Sequence, residues 1–263
     1  MCPSAKSEET GQSFIAENEN KNIDAELNSN ESLPRMKEYK GNTFTIEFAA
    51  GAILGSLSII IGFTWDAVVE RTSGFGPTFA PGMTWIDFLA IPIIVAFFVF
   101  GIISGLIAAI IGCGAIAFYL AESFGWLAMW PKFFASTSMF VIPWLILKII
   151  NRKERKKQLP FFKKLQYSST TFKKLTNYSF LMSMAIIGRA IVMFVLNTLL
   201  IAPLFFWLFS GKGEFTTVFT HPEIYLPIGG GYFAWNLVQG LFDAIISYSI
   251  VYQTNLYKRF STW

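Results

Sequence analysis

Long apolar stretches separated by short polar ones dominate the chain. Residues 44–65, from Phe44 to Trp65, form a mainly apolar run of 22 positions with Glu47 its one charge. A helix crossing the hydrocarbon core needs about 20 such residues at a rise of 1.5 Å each, so 44–65 predict a first span. The block from Trp85 to Phe124 is 40 residues long, with only Asp87 and Glu122 charged near its ends. As one helix it would measure roughly 60 Å, twice the hydrocarbon thickness, so it is expected to fold back near Gly101–Gly105. Further spans are predicted over 130–150, about 178–209 and 230–257.

Loop charges decide how often the 85–124 block crosses. Segment 151–176 carries nine basic residues (Arg152, Lys153, Arg155, Lys156, Lys157, Lys163, Lys164, Lys173, Lys174) against Glu154 alone. The positive-inside rule places such a segment in the cytoplasm, and Arg35, Lys37, Lys40, Lys258 and Arg259 point the same way. All three segments share one side only if 85–124 crosses twice. The expectation is therefore an all-α integral membrane protein, a six-transmembrane-helix bundle over 43–260 in the plasma membrane, with both termini cytoplasmic. Its outer loops would be 66–84, about 121–129 and 210–229. The first, rich in Gly, Pro and aromatic residues, reads either as a connector or as a lid over an outward-facing pocket.

Composition fits a lipid-solvated chain. Of 263 residues, 53% are hydrophobic, 17% aromatic and 14% charged, against about 25% charged in soluble domains. Residues 1–34 hold seven acidic side chains and almost no large apolar ones. Such a segment cannot offset its ordering entropy, so 1–42 read as a disordered polar N-terminal tail. The net charge of +4 comes from the basic loop, which bears on topology and argues against nucleic-acid binding. Two cysteines and one histidine make neither a disulfide framework nor a metal site. No Walker A loop, HExxH, GxSxG or dinucleotide fingerprint is present in the sequence, so neither an enzyme nor a cofactor is expected. Energy for any uptake would come from a partner.

Polar residues inside the spans are the candidate chemistry. Asn236, Gln239 and Asp243 fall at i, i+3 and i+7 and share one face of the last helix. Asn197 and Thr198 lie in the outer half of the fifth span; Lys132, Ser136 and Thr137 lie near the outer end of the fourth; Thr64 and Asp66 close the first. An amide or charge in the bilayer must face a partner, the bundle interior or a cavity. Interhelical hydrogen bonding is the plain reading. Convergence of several helices at one depth instead describes a pocket for a polar small molecule, built from Asn197, Asn236, Gln239, Lys132, Asp66, Thr64 and Asp243. Arg189 is expected to snorkel to the cytoplasmic boundary. Gly51 and Gly55, at small-xxx-small spacing, permit close approach of a helix from this chain or from a separate membrane subunit.

Three segments carry a family resemblance. They are Ile86-Asp87-Phe88-Leu89-Ala90-Ile91-Pro92 running to Phe100-Gly101-Ile102-Ile103-Ser104-Gly105; Gly188-Arg189-Ala190-Ile191-Val192-Met193 with Asn197 and Pro203; and Phe233-Ala234-Trp235-Asn236-Leu237-Val238-Gln239-Gly240 leading to Tyr257-Lys258-Arg259. With a fourth match around Phe133–Pro143, the chain over about 44–260 resembles the substrate-binding S components of energy-coupling-factor (ECF) vitamin transporters, most closely the riboflavin-binding type. The resemblance implies a binding subunit of an ABC-type importer that captures a vitamin or related micronutrient from the outer face. It implies docking through Gly51 and Gly55 onto a transmembrane coupling subunit driven by two ATPases, with Asn197, Asn236 and position 239 in the pocket. The riboflavin type has Lys where Gln239 stands and Asn where Lys132 stands, which leaves the vitamin open. The alternative function is a stand-alone secondary transporter or channel for a small polar solute, using Asp243 and Arg189; a third is a membrane enzyme or structural partner.

Overall fold

A computed structural model describes residues 43–73, 87–119, 125–154, 168–209, 216–260 and 263, with the side chains of 66–73, 119, 125, 153–154, 205 and 209 excluded. The expected tail over 1–42 lies outside the described residues. The described part is helical throughout: α1 (Thr43–Ser73), α2 (Ala90–Phe100), α3 (Ile102–Tyr119), α4 (Gly125–Glu154), α5 (Leu175–Leu196), α6 (Ala202–Phe209), α7 (Pro222–Tyr248) and α8 (Leu256–Phe260). A 3-10 turn, Ser169–Lys173, precedes α5, and π-helical turns follow α5 and α7. Among the described residues, three helices are long and apolar enough to cross a membrane: Thr43–Trp65, Trp126–Arg152 and Leu175–Leu208. Helix α1 runs on to Ser73, so the first eight residues of the expected 66–84 loop are helical.

The 85–124 block folds back, and one residue makes the turn. Gly101 ends α2 at φ 96°, ψ −173°, a backbone conformation open to glycine and strained for any residue with a Cβ. Beyond it α3 returns along α2, with Gly105 against Phe97 and Gly112 against Ile93. Helix α2 is apolar on every side and buried from Ala90 to Val99. That is the pattern of a helix enclosed by others, which a one-faced amphipathic stripe would not give.

Contacts between the helices fix their directions. Gly51, Gly55 and Gly112 lie against Ser104, Ala108 and Ser58 respectively, so α1 and α3 run parallel. Asp87 meets Lys132 and Gln239, while Phe97 meets Phe140 and Phe98 meets Tyr252; α2, α4 and α7 therefore share the opposite direction. Helix α5 is antiparallel to α7, with Ile186 at Gly240 and Phe194 at Phe233. Direction thus reverses at each step along α1, α2, α3, α4, α5 and α7.

The two ends differ in chemistry. At one, Phe97, Phe98, Phe172, Tyr178, Tyr252 and Trp263 pack ring against ring at centroid separations of 5.0–6.5 Å. Ser168 starts the 3-10 turn there, its hydroxyl accepting from the Thr170 amide at 3.3 Å, and Phe172 is carried into the core. The other end holds Asp87, Lys132 and the start of α2.

Solvent preference is inverted relative to a water-soluble bundle. On α7, Asn236, Gln239, Asp243 and Ser247 face inward, while Val238, Leu241, Phe242 and Ile245 lie exposed. On α5 and the π-helical turn after it, Ile187, Ile191, Val195 and Leu199 form an exposed apolar stripe at four-residue spacing. A face of that kind is stable against lipid or another apolar surface and costly against water.

Candidate functional site: a buried polar network

Antiparallel packing of α5 on α7 puts Arg189 level with residues 236–243. Arg189 is 2% exposed and Asp243 0%, and the guanidinium Nη1 lies 2.5 Å from Asp243 Oδ2. Arg189 Nε donates to Asn236 Oδ1 at 3.0 Å, and Asn236 Nδ2 donates in turn to the Tyr232 carbonyl at 2.8 Å. The expectation that Arg189 snorkels is therefore corrected. A carboxylate at this depth requires a counter-charge, and the arginine that meets it is 54 positions away in sequence.

Gln239 joins this pair to the end of the bundle. Its Nε2 donates to Asp243 Oδ1 at 3.1 Å and to the Asp87 carbonyl at 2.6 Å. Its Oε1 accepts from the Asp87 amide at 3.3 Å. One side-chain amide thus satisfies both main-chain groups of the residue that leads into α2, where they would otherwise be orphaned. Asp87 Oδ1 accepts from the Leu89 amide at 2.7 Å, an Asx-type turn leading into α2. Its other oxygen, Oδ2, forms an ion pair with Lys132 of α4. These two side chains are part-exposed, 17% for Lys132 and 19% for Asp87, so they form the open end of a chain that is otherwise sealed.

The predicted site residues thus fall into two groups. Asn236, Gln239, Asp243 and Lys132 belong to one connected network. Asn197 is buried but bonds its own helix, Nδ2 donating to the Met193 carbonyl at 2.7 Å beside the π-turn. Thr198, next to it, is buried with an unbonded hydroxyl and fills the space a Cβ at Gly229 would need. Thr64 is exposed on α1, apart from these buried hydrogen bonds. The Asp66 side chain lies outside the described residues.

Gly51 and Gly55 are occupied by this chain itself. A Cβ on Gly51 would stand 2.8 Å from the Ser104 carbonyl oxygen, and one on Gly55 3.0 Å from Ala108 Cα. Their face is the α1–α3 contact, so of the two roles the spacing allows, the structure displays packing within the chain. Sequence reasoning missed two participants, Asp87 and Arg189 as network members. Asp87 was visible as the lone carboxylate before an apolar run; for Arg189 the only signal was that Asp243 needed a cation.

Among the described residues no cluster of His, Cys, Asp and Glu has the makings of a metal site. No family model matches the chain, and neither a search of curated proteins nor one of solved structures finds a match. What the structure defines is an all-helical protein of membrane-spanning character with a polar, ion-paired interior.

Proposed function

We propose that this chain is a multi-pass membrane protein of six crossings that binds a small polar solute from the outer face. In this reading it serves as the substrate-binding subunit of an ECF-type importer and takes up a vitamin or related micronutrient. The observation that carries it is the polar network itself. Three helices and the entry to α2 bring amides and charges into one connected network inside an apolar bundle, running from the buried Arg189–Asp243 pair to the part-exposed Lys132–Asp87 end. Intramembrane groups of this kind are costly, and solute recognition is a common reason for them. The aromatic end then faces the cytoplasm together with the basic loop, as the positive-inside rule requires. Both termini are cytoplasmic, and a coupling subunit with ATPases supplies the energy, since the sequence holds no nucleotide-binding motif of its own.

The test is ligand identification. Protein purified in mild detergent is examined for co-bound small molecules by absorbance and mass spectrometry, then titrated with riboflavin and other vitamins. Binding tighter than about 1 µM, roughly −8 kcal/mol, together with co-purification of ATPase subunits, supports the proposal; no binding by any vitamin sinks it.

A second reading has its own observation. A fully buried Arg–Asp pair is also what a self-sufficient proton- or ion-coupled transporter carries. Solute or ion flux into liposomes containing this chain alone would favour that reading over the first.

A further inference from the structure

We infer that a cationic rim shared by α4 and α5 at the aromatic end, formed by Lys148, Arg152, Lys173 and Lys174, seats the phosphate headgroup of an anionic phospholipid. The inference uses the membrane-spanning character of these two helices and does not depend on solute binding.

The apolar stretches that can cross a membrane stop at these cations. One runs Trp126–Arg152 and the other begins at Leu175. Gly188 of α5 lies against Ile142 of α4, so in this antiparallel pair the end of α4 comes level with the start of α5. At 1.5 Å per residue the four cations fall within about 15 Å along the helix axes. All four side chains are exposed, and among the described residues none has a carboxylate partner. A lipid boundary is where unpaired cations of this kind meet phosphate.

The rim is also held in place. The Lys148 ammonium lies 4.5 Å from the centroid of the Trp144 ring, which keeps it against the helix. Tyr248 donates to the Lys173 carbonyl at 3.3 Å, so the backbone that carries Lys173 and Lys174 is tied to α7. Lys174 is the N-cap residue of α5 and makes no capping hydrogen bond with its side chain. The free amides of that first turn add to the attraction for an anion.

An exposed apolar face runs from each pair of cations toward the middle of the bundle. On α4 it holds Leu145 and Ile149, on α5 Phe180 and Met184. A soluble phosphate would match the charges alone. A phospholipid matches both features, its phosphate on the rim and its acyl chains on the apolar faces. In the six-crossing topology this is the cytoplasmic leaflet, the one that carries anionic lipid.

The experiment uses the full chain in nanodiscs of phosphatidylcholine and phosphatidylglycerol in equal parts, with retained lipid counted by native mass spectrometry. Wild type is expected to retain phosphatidylglycerol over phosphatidylcholine by at least about fivefold, the effect of a single cation at an anionic surface. The pairs Lys148→Gln, Arg152→Gln and Lys173→Gln, Lys174→Gln should each lower that ratio by about fivefold or more. The pair Lys258→Gln, Arg259→Gln removes the same charge from α8 and should leave it unchanged. Lys173→Arg, Lys174→Arg keeps the charge and should keep wild-type retention, which separates loss of charge from loss of fold. Equal retention of the two lipids by wild type overturns the inference. So does an equal loss in the α8 pair, which would mean diffuse attraction by net charge. Soluble glycerol phosphate should fail to displace the lipid; displacement would assign the rim to a free phosphate and overturn the lipid seat. The vitamin titration above is untouched by any of these results, so the two readings stand or fall separately.

Discussion

Arg189 and Asp243 are two buried charges that are tolerable only together. Removing one leaves the other uncompensated, at a cost of about 3–5 kcal/mol, whereas replacing both with apolar side chains of similar volume is close to neutral. Arg189→Leu and Asp243→Leu are each expected to lower thermal stability in detergent sharply, while the double Leu variant recovers most of the loss. Additive losses in the double variant would mean that the pair does not act as a unit. Gln239 is a junction of a different kind, since one amide serves the Asp87 N–H and C=O and the Asp243 carboxylate. Gln239→Leu strands those groups, and about 1–3 kcal/mol of stability should be lost, read from the same melts.

Helix-level behaviour turns on which glycines are covered. Without a hydrophobic drive between helices in lipid, association depends on close approach and hydrogen bonds. Alanine at Gly51 or Gly55 gains helix propensity of about 1 kcal/mol. It must also push α3 backbone atoms away from contacts of 2.8–3.0 Å. Overpacking of this kind costs about 1–3 kcal/mol, and larger residues cost more, so the clash wins. Gly114 has nothing within 4 Å of a built Cβ, so Gly114→Ala should instead raise the melting temperature. Opposite signs at Gly55 and Gly114 are the expected outcome of a melting series; equal signs would disprove the α1–α3 contact. At Gly101 crowding is not the issue, because Trp263 Cδ1 would stand an ordinary 3.4 Å from the added Cβ. The cost there is the positive φ, about 1–3 kcal/mol, and Gly101→Ala should show it as a lower melting temperature.

At the scale of the whole molecule the ends are unlike, one polar and part-open, the other closed by aromatic rings. Tyr252 donates to the Ser169 carbonyl at 3.2 Å and the Ser169 hydroxyl to the Trp263 carbonyl at 3.2 Å, tying the 3-10 turn to the far end of α7 and its extension. In the proposed six-crossing topology the basic loop is cytoplasmic, so cysteine placed at Lys157 should react with an impermeant maleimide only after cells are permeabilised. Cysteine at Phe219, 87% exposed between α6 and α7, should react in intact cells. Labelling of both from one side would break the six-crossing topology.

Much of the fold was legible because lipid imposes a simple code. Apolar runs of the right length marked the helices, and a 40-residue run too long for one crossing required the turn found at Gly101. Helix α7 was harder to see by hydropathy, since the polar residues it turns inward dilute its average; their i, i+3, i+7 spacing nevertheless identified the buried face. The fate of Gly51 and Gly55 was not legible, because small-xxx-small spacing permits close approach without saying by which helix. Nor was the fate of Arg189, whose long stem allows snorkelling wherever a boundary is near. By itself the sequence determined that the chain is helical and apolar, and that Asp243 needs a partner, since these follow from local composition and the cost of a charge in a low-dielectric medium. Only the tertiary structure decided the partners. Pairing Arg189 with Asp243 and Asp87 with Gln239 and Lys132 depends on which helices pack and in which direction, a property of long-range contacts that no local pattern encodes.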